Sequence, residues 1–214
     1  VGMSHALPAV VAVKRDKRKE ASLGPSSTAA EKKDKEATDR ANKLELDICS
    51  TYSHRYLCNL VGTCLDGPHR CLLFEFCPGG DLFNRLHPEL LPPHKRKPLL
   101  TAGQRLGIVA YAAQGLEYLH CAAIPPVLHR DVKSQNIMLD ADDLPKLCDF
   151  GTVRQDELRD GRTHQSTKVV IGTPAYMPPE YWQFGHMSVK TDSYAFGIVV
   201  FEALTGVDPA QLVG

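Results

Sequence analysis

Apolar and polar positions change rhythm along this chain, and each change predicts an element. Residues 10–14, VVAVK, are short, β-branched and end in a charge, which predicts a strand. Residues 15–40 hold almost no large apolar side chain, so they read as a solvated insert, with a basic docking patch as the alternative. Thr28 followed by Glu31 has capping-box spacing, and Ala37, Ala41, Leu44 and Ile48 then recur at helical intervals, predicting a helix to about Tyr52. Two strands are expected at 57–64 and 71–77, joined by a turn through Asp66-Gly67-Pro68. CPGG at 77–80 reads as a flexible joint, and the Pro-rich basic stretch 86–98 as a surface loop. Thr101 and Gln104 form a second capping box, after which Leu106, Val109, Ala113, Leu116 and Leu119 stripe one face of a helix ending near His120. Short strands at 136–139 and 146–148 flank the turn DADDLP, and a long loop runs on to about 180. SVKTDSYAFGIVVFEALTG, at 188–206, is apolar nearly all round and predicts a buried helix closed by Gly206. Strands and one helix first, then mostly helices, predict an α+β protein of two lobes with a joint near 75–80.

Composition narrows the partners more than the fold. The 214 residues are 43% hydrophobic and 23% charged, enough to bury a core. A formal net charge of zero gives no global electrostatic case for a nucleic acid or an anionic membrane. Seven cysteines, with no C-x-x-C pair and no secretory signal, read as reduced thiols in a cytoplasmic compartment. Cys58, Cys64, Cys71 and Cys77 fit no common zinc spacing. The longest apolar run, around 194–204, contains Glu202 and is too short to span a bilayer, so no membrane segment is expected in this chain. The first residue is Val rather than Met, which reads as a piece of something longer or a processed chain.

The chemistry concentrates in HRDVKSQN, 129–136, which matches the spacing H-R-D-x-x-x-x-N of a phosphoryl-transfer loop. The triplet alone could arise by chance; its company decides. DFG stands at 149–151, VAVK at 11–14 in a predicted strand, and PPE at 178–180 where that template has A-P-E. With these signals in the expected order, the chain resembles a protein kinase over nearly all its length. Lys133, two residues after Asp131, and GTPAYMPPEY, 172–181, resemble serine/threonine kinases. AAQGLEYLHCAAIPPVLHRDVKSQNIMLD, 112–140, and STKVVIGTPAYMPPEY, 166–181, are similar to plant receptor-like kinases and to interleukin-1 receptor-associated kinases, within the tyrosine-kinase-like group.

The resemblance implies a two-lobed α+β fold with a small lobe over 1–79 and a large lobe over 80–214, both incomplete. It implies ATP and Mg²⁺ as cofactors and a protein with Ser or Thr hydroxyls as substrate. Asp131 would orient the attacking hydroxyl, Lys133 would reach the γ-phosphate, and Asn136 and Asp149 would hold Mg²⁺, which prefers oxygen ligands. Lys14 would contact the α and β phosphates, with Glu45 fixing its direction; Asp39 and Glu36 are weaker candidates for that pairing. The Lys14 and Glu45 side chains are expected within salt-bridge reach, or separated by a simple swing of the helix. Phe74 would be the gatekeeper, the backbone of Glu75 and Cys77 would bond adenine, and Ala12 and Met138 would sandwich the purine. Val1 would be the valine that closes the glycine-rich turn over the phosphates, a turn this chain does not contain.

His129, Phe150, Cys49 and Leu60 are candidates for the hydrophobic column that links helix and loop in active kinases, and Gly151 completes the DFG triplet. Asp192 would hold the His-Arg-Asp backbone, and Thr173 would brace Asp131 and Lys133. Arg130 would receive a phosphorylated activation segment, for which Thr163, Ser166 and Thr167 are candidates. Cys148, just before DFG, is either a reactive thiol or a small buried residue. Glu180 lacks the downstream arginine that pairs with it in the family, and the helices expected after 206 are missing. The parts present imply a catalytic region; the parts missing imply, as the other reading, a kinase-like module that acts by binding partners.

Overall fold

A computed structural model describes residues 10–15, 29–65, 70–155, 165–167 and 170–212, with side chains left aside at 29–38 and 165–166. Val1, Thr28, Thr163 and the 66–68 turn lie outside the described residues. The first part of the chain holds strand β1 (Val11–Arg15), helix α1 (Ala29–Thr51), β2 (Leu60–Cys64) and β3 (Cys71–Glu75). β3 is the centre of an antiparallel three-stranded sheet, with β1 on one side and β2 on the other. Alternation along β1 points Ala12 and Lys14 to the same face, and the register sets them opposite Phe74 and Leu72.

The remainder is mainly helical. β4 (Gly80–Asp81) leads into α2 (Leu82–Leu86), whose first turn is capped by the Asp81 side chain. Then come α3 (Ala102–Cys121), β5 (Val127–Leu128), β6 (Ile137–Leu139), β7 (Pro145–Leu147), β8 (Arg154–Gln155), β9 (Gln165–Ser166), α4 (Pro179–Phe184), β10 (His186–Met187) and α5 (Val189–Thr205). Short antiparallel ladders join β4 to β6 to β7, β5 to β8, and β9 to β10. The core is formed largely by α3 against α5 and β7, with Leu119, Val127, Ile137, Leu139 and Val199 almost wholly buried. This is the two-lobed α+β arrangement the resemblance implies.

The capping box at Thr101 and Gln104 forms on both sides, and Gly206 closes α5 in a left-handed conformation at φ 70°. Other expectations need correction. On α3 the buried positions are Ile108, Val109, Ala112, Gly115, Leu116 and Leu119, while Leu106 is exposed and Ala113 only half-buried. The stripe is thus rotated, because Gly115 lets the helix approach the Tyr56 carbonyl, where a Cβ would sit 2.7 Å from its oxygen. The strand expected at 57–64 begins at Leu60, Leu57 making only an isolated bridge to Leu147. The one expected at 71–77 stops at Glu75. The joint at 77–80 is bonded rather than loose: Gly79 N–H donates to the Leu139 carbonyl at 2.8 Å, and Gly80 N–H to that of Cys77. The surface loop 86–98 buries Leu86 and His87, and the stretch 149–180 includes β8, β9 and the start of α4. α5 is buried on one side only, since Tyr194, Phe201 and Leu204 are exposed.

Two glycines test this packing in opposite directions. A Cβ on Gly79 would fall 2.4 Å from the Leu139 oxygen, a backbone atom that cannot swing away. Gly79→Ala is expected to lower unfolding free energy by about 1–3 kcal/mol. Gly107, inside α3, has open space around its would-be Cβ. Gly107→Ala is expected to raise stability by about 1 kcal/mol, through helix propensity alone. Denaturant unfolding of both variants checks the pair.

Candidate active site

The site is built on three backbone devices. First, Cys148 N–H donates to the Asn136 carbonyl at 2.8 Å, which continues the β6–β7 ladder and sets Asp149 beside the end of the 129–136 loop. Second, Asp149 itself adopts φ 66°, an unusual conformation for a non-glycine residue, and its carboxylate accepts from Gly151 N–H. Third, Arg130 adopts φ 67°. That conformation is held from below: the buried Asp192 carboxylate accepts from His129 N–H at 2.7 Å and Arg130 N–H at 2.8 Å. His120 Nε2 adds a third bond to Asp192 at 2.9 Å.

On this frame Lys14 bridges two acids. Its ammonium donates to Glu45 at 2.5 Å and to Asp149 at 2.6 Å. Glu45, and neither Asp39 nor any described alternative on α1, takes Lys14; its buried carboxylate points inward from the second half of the helix. Gly151 is small for a local reason, since a Cβ there would lie 3.0 Å from the Lys14 nitrogen and 3.3 Å from Asp149. Burial alone would push the Lys14 pKa down and the Asp149 pKa up. Their mutual bond and that to Glu45 outweigh it, leaving Lys14 above its ordinary 10.5 and Asp149 below its ordinary 3.8.

Asp131 sits in a second cluster. Thr173 Oγ1 donates to it at 2.9 Å, Asn136 Nδ2 at 3.0 Å, and Lys133 Nζ lies 2.8 Å away while also donating to Thr173 at 2.9 Å. With its amide nitrogen so engaged, Asn136 presents its oxygen as the atom able to ligate a cation. Asp149 and Asn136 are hard oxygen donors of the kind Mg²⁺ takes from proteins, which usually supply only one or two carboxylates beside phosphate and water. The donor set therefore fits that ion, although among the described residues no cluster of three His, Cys, Asp or Glu forms a closed cage.

The supporting residues are placed as follows. The rings of His129 and Phe150 lie 5.5 Å apart and both are buried; Cys49 packs against that core and its thiol is pushed up to about 12, chiefly by burial. Leu60 lies outside that cluster. Phe74 is buried, and Ala12 and Met138 are half-buried. Glu75 N–H is already used by the Asn59 carbonyl, and its side chain turns to Asn59 and Lys146. Cys77 is buried. Cys148 donates its S–H to the Lys146 carbonyl at 3.2 Å. Arg130 donates to the Thr152 carbonyl and lies beside Tyr181 and Arg154. Thr167 is tied by its N–H to the Gly185 carbonyl at 3.0 Å, Ser166 is described as backbone in β9, and Glu180 is exposed on α4 with no ion pair among the described residues. The elements thus bring Lys14, Glu45, Gly151 and Asp149 together, and Asp131, Lys133, Asn136 and Thr173 together.

The protein kinase domain family matches residues 10–213. The chain belongs to the protein kinase domain family. A probable LRR receptor-like serine/threonine-protein kinase of Arabidopsis thaliana is 46% identical over 163 residues, 76% of this chain and 18% of the relative. Serine/threonine-protein kinase PBS1 of the same plant is 45% identical over 163 residues, 76% of this chain and 34% of the relative. The probable serine/threonine-protein kinase PBL7, also from that plant, is 41% identical over 174 residues, 80% of this chain and 44% of the relative. The chain thus spans less than half the length of these relatives. Membership in the family implies use of ATP. No helix among the described residues is long and apolar enough to cross a membrane.

Sequence reasoning missed the network around the fully buried Glu202, the Arg85–Asp143 pair that ties α2 to the β6–β7 turn, and the Glu75–Lys146 pair. No local signal marks them, because each joins residues at least 26 apart.

Two consequences of this kinase domain's electrostatics are measurable. Asp192→Ala leaves one buried and one half-buried N–H group of a left-handed turn without acceptors, and is expected to cost about 3 kcal/mol in denaturant unfolding. Asp149, with its pKa depressed in the fold, contributes stability that is complete above the unfolded carboxylate value and is lost as pH falls through its folded value below 3.8. Its side chain is 47% exposed, so solvent screening holds the gain to about 1 kcal/mol or less. The stability difference between wild type and Asp149→Asn should be constant from pH 5 to 8, as ~1 kcal/mol or less, and shrink below about pH 4.

Proposed function

We propose that this chain is the catalytic region of a serine/threonine protein kinase that moves the γ-phosphate of ATP onto Ser or Thr hydroxyls of proteins in signalling. The observation that carries this reading is the closed set around Asp131, in which Thr173, Lys133 and Asn136 all reach the same carboxylate. A carboxylate so fixed can accept a hydrogen bond from an entering hydroxyl and aim its oxygen, which is most of what phosphoryl transfer asks of a base. Lys133 beside it would neutralise the transferring group. Lys14, aimed by Glu45, would hold the α and β phosphates. Mg²⁺ held by Asp149 and Asn136 would neutralise phosphate charge and order the phosphates for in-line attack. Phe74, the backbone of Glu75 and Cys77, and the side chains of Ala12 and Met138 would frame the adenine. The lobes would divide between residues 79 and 80, where the bonded turn at Gly79 gives way to β4.

Seven cysteines without a disulfide among the described residues favour a reducing, cytoplasmic setting. Control by phosphorylation of the 163–167 stretch belongs to the same reading, with Thr167 as the best single site. Arg130 and Arg154 lie close enough to repel one another, a pairing that an added phosphate would relieve.

The test is Mg²⁺-dependent transfer to a serine/threonine peptide. Asp131→Asn and Asp149→Asn should each lower the rate by at least ~10²-fold while leaving the fold intact. Equal rates in these variants would remove the assignment, and no transfer by the wild-type chain would favour a kinase-like module acting through protein binding. Thr167→Ala should lower the activity of the phosphorylated protein; loss instead in Thr163→Ala or Ser166→Ala would move the site, and loss in none would remove this form of control.

A further inference from the structure

Near the C-terminal end of α5 lies a carboxylate that the chemistry above does not use. Glu202 is 0% exposed. It accepts from Ser134 Oγ at 3.0 Å and from the Tyr176 hydroxyl at 2.8 Å, and His87 Nε2 stands 3.1 Å from it. Burying a charged group costs several kcal/mol of desolvation, and an apolar side chain of similar size often replaces such a group without loss of stability. What an apolar residue could not do is hold three donors from three separate parts of the chain. Burial pushes the Glu202 pKa up, while the bonds from Ser134, Tyr176 and His87 work against that shift.

The placement of the donors gives the hub its meaning. Ser134 is three residues beyond Asp131, and Tyr176 three beyond Thr173. Thr173 and Tyr176 are spanned by a tight turn that Tyr176 N–H closes on the Thr173 carbonyl at 2.9 Å; Ser134 opens a turn that Asn136 N–H closes on the Lys133 carbonyl at 3.0 Å, and Asn136 Nδ2 ties that turn back to the Asp131 carbonyl at 2.8 Å. The Asp131–Thr173 bond of 2.9 Å therefore has an inner counterpart, Ser134 Oγ lying 3.2 Å from the Tyr176 hydroxyl, and Glu202 clamps that inner contact. His87 is buried just after α2, packed 4.7 Å from the Phe83 ring, with its other nitrogen 3.6 Å from Glu89. It shares Glu202 Oε1 with Ser134, while Tyr176 takes Oε2.

We propose that Glu202 and His87 are positioning residues: the buried pair locks Ser134 against Tyr176 and thereby sets the Asp131–Thr173 geometry at which the acceptor hydroxyl is aimed. This rests on the kinase reading above. Neither residue touches the reacting atoms, so their effect runs through the two turns. Displacement of a reactive group by about 1 Å can cost ~10²-fold in rate.

The experiment uses the full chain with ATP, Mg²⁺ and a serine/threonine peptide, and measures kcat and both KM values for Glu202→Gln, Tyr176→Phe, His87→Leu and His87→Gln. Glu202→Gln and His87→Leu should lower kcat by ~10–100-fold with the KM for ATP little changed, because the Lys14 cluster is untouched. His87→Gln, which keeps an N–H donor at the same place, should recover most of that loss. Tyr176→Phe added to Glu202→Gln should cost little more than Glu202→Gln alone, since the two act as one unit. An unchanged kcat in Glu202→Gln, or His87→Gln as poor as His87→Leu, overturns the proposal. Amide hydrogen exchange at 131–136 and 173–177 gives a readout independent of activity: faster exchange in both segments of Glu202→Gln supports the clamp, and unchanged exchange overturns it. If the wild-type chain transfers no phosphate, the kinase reading fails and the exchange result alone decides the clamp. If Glu202→Gln does not fold, the two His87 variants and Tyr176→Phe carry the same comparison.

Discussion

The arrangement of this site depends on one buried carboxylate gripping a backbone that would not otherwise hold its shape. Arg130 lies at φ 67°, where a side chain is crowded by its own carbonyl. Such a conformation costs on the order of 1–3 kcal/mol and persists only where the surroundings over-determine it. Asp192 supplies that constraint by accepting from two successive N–H groups, and it is itself oriented by His120. The turn it maintains links β5 to the loop that follows. Asp131 is consequently presented to Thr173, while the Arg130 side chain is sent to Thr152.

The cleft side of the site obeys a different constraint, the need to keep a cation between two acids. Lys14 arrives on a strand and Glu45 on a helix, and Asp149 comes from a turn in which it too takes up a left-handed backbone. Three unrelated local structures converge on one ammonium, so its position reports the relation between them. Gly151 leaves room for that convergence, and any larger residue would push against the Lys14 nitrogen. This pairing is half-exposed and adds little to stability, in contrast to the Asp192 anchor beneath it. Stability and chemistry are thus assigned to different carboxylates.

What the sequence made legible follows from this division. Lys14, Asp131, Asn136 and Asp149 stand in spaced motifs, so their order along the chain announced them before any contact was known. Glu45 was legible only through the family resemblance, which expects a glutamate on the helix that follows the lysine strand. Elements with their own start and stop signals, such as α3 with Thr101 and α5 with Gly206, were equally readable. Leu106 misled because periodicity names a stripe but not its rotation, and the rotation was set by Gly115 meeting Tyr56. CPGG misled because glycine signals a special backbone without saying whether it is free or bonded, and here Leu139 bonds it. Glu202 was read only as a charge interrupting an apolar run. Its partners lie 26, 68 and 115 residues away, a relation that no local pattern encodes.

Helix α5 joins these observations into one physical scheme. Asp192 and Glu202 are ten residues apart on it, about 15 Å along the axis, and both are buried on the side that faces the catalytic loop. The loop is therefore held at both ends by a single rigid element, His129 and Arg130 at Asp192 and Ser134 at Glu202. The two acids do not sit there on equal terms. Asp192 lies in the first turn, where the helix dipole favours a negative charge; Glu202 lies in the last turn, where it opposes one. A carboxylate that is both desolvated and set against the dipole holds its place through its donors alone. Without Ser134, Tyr176 and His87 it would be among the least favourable positions in the protein for an acid. Its presence is better explained by what it holds than by any stability it contributes, which places the C-terminal turn of α5 within the machinery that shapes the active site.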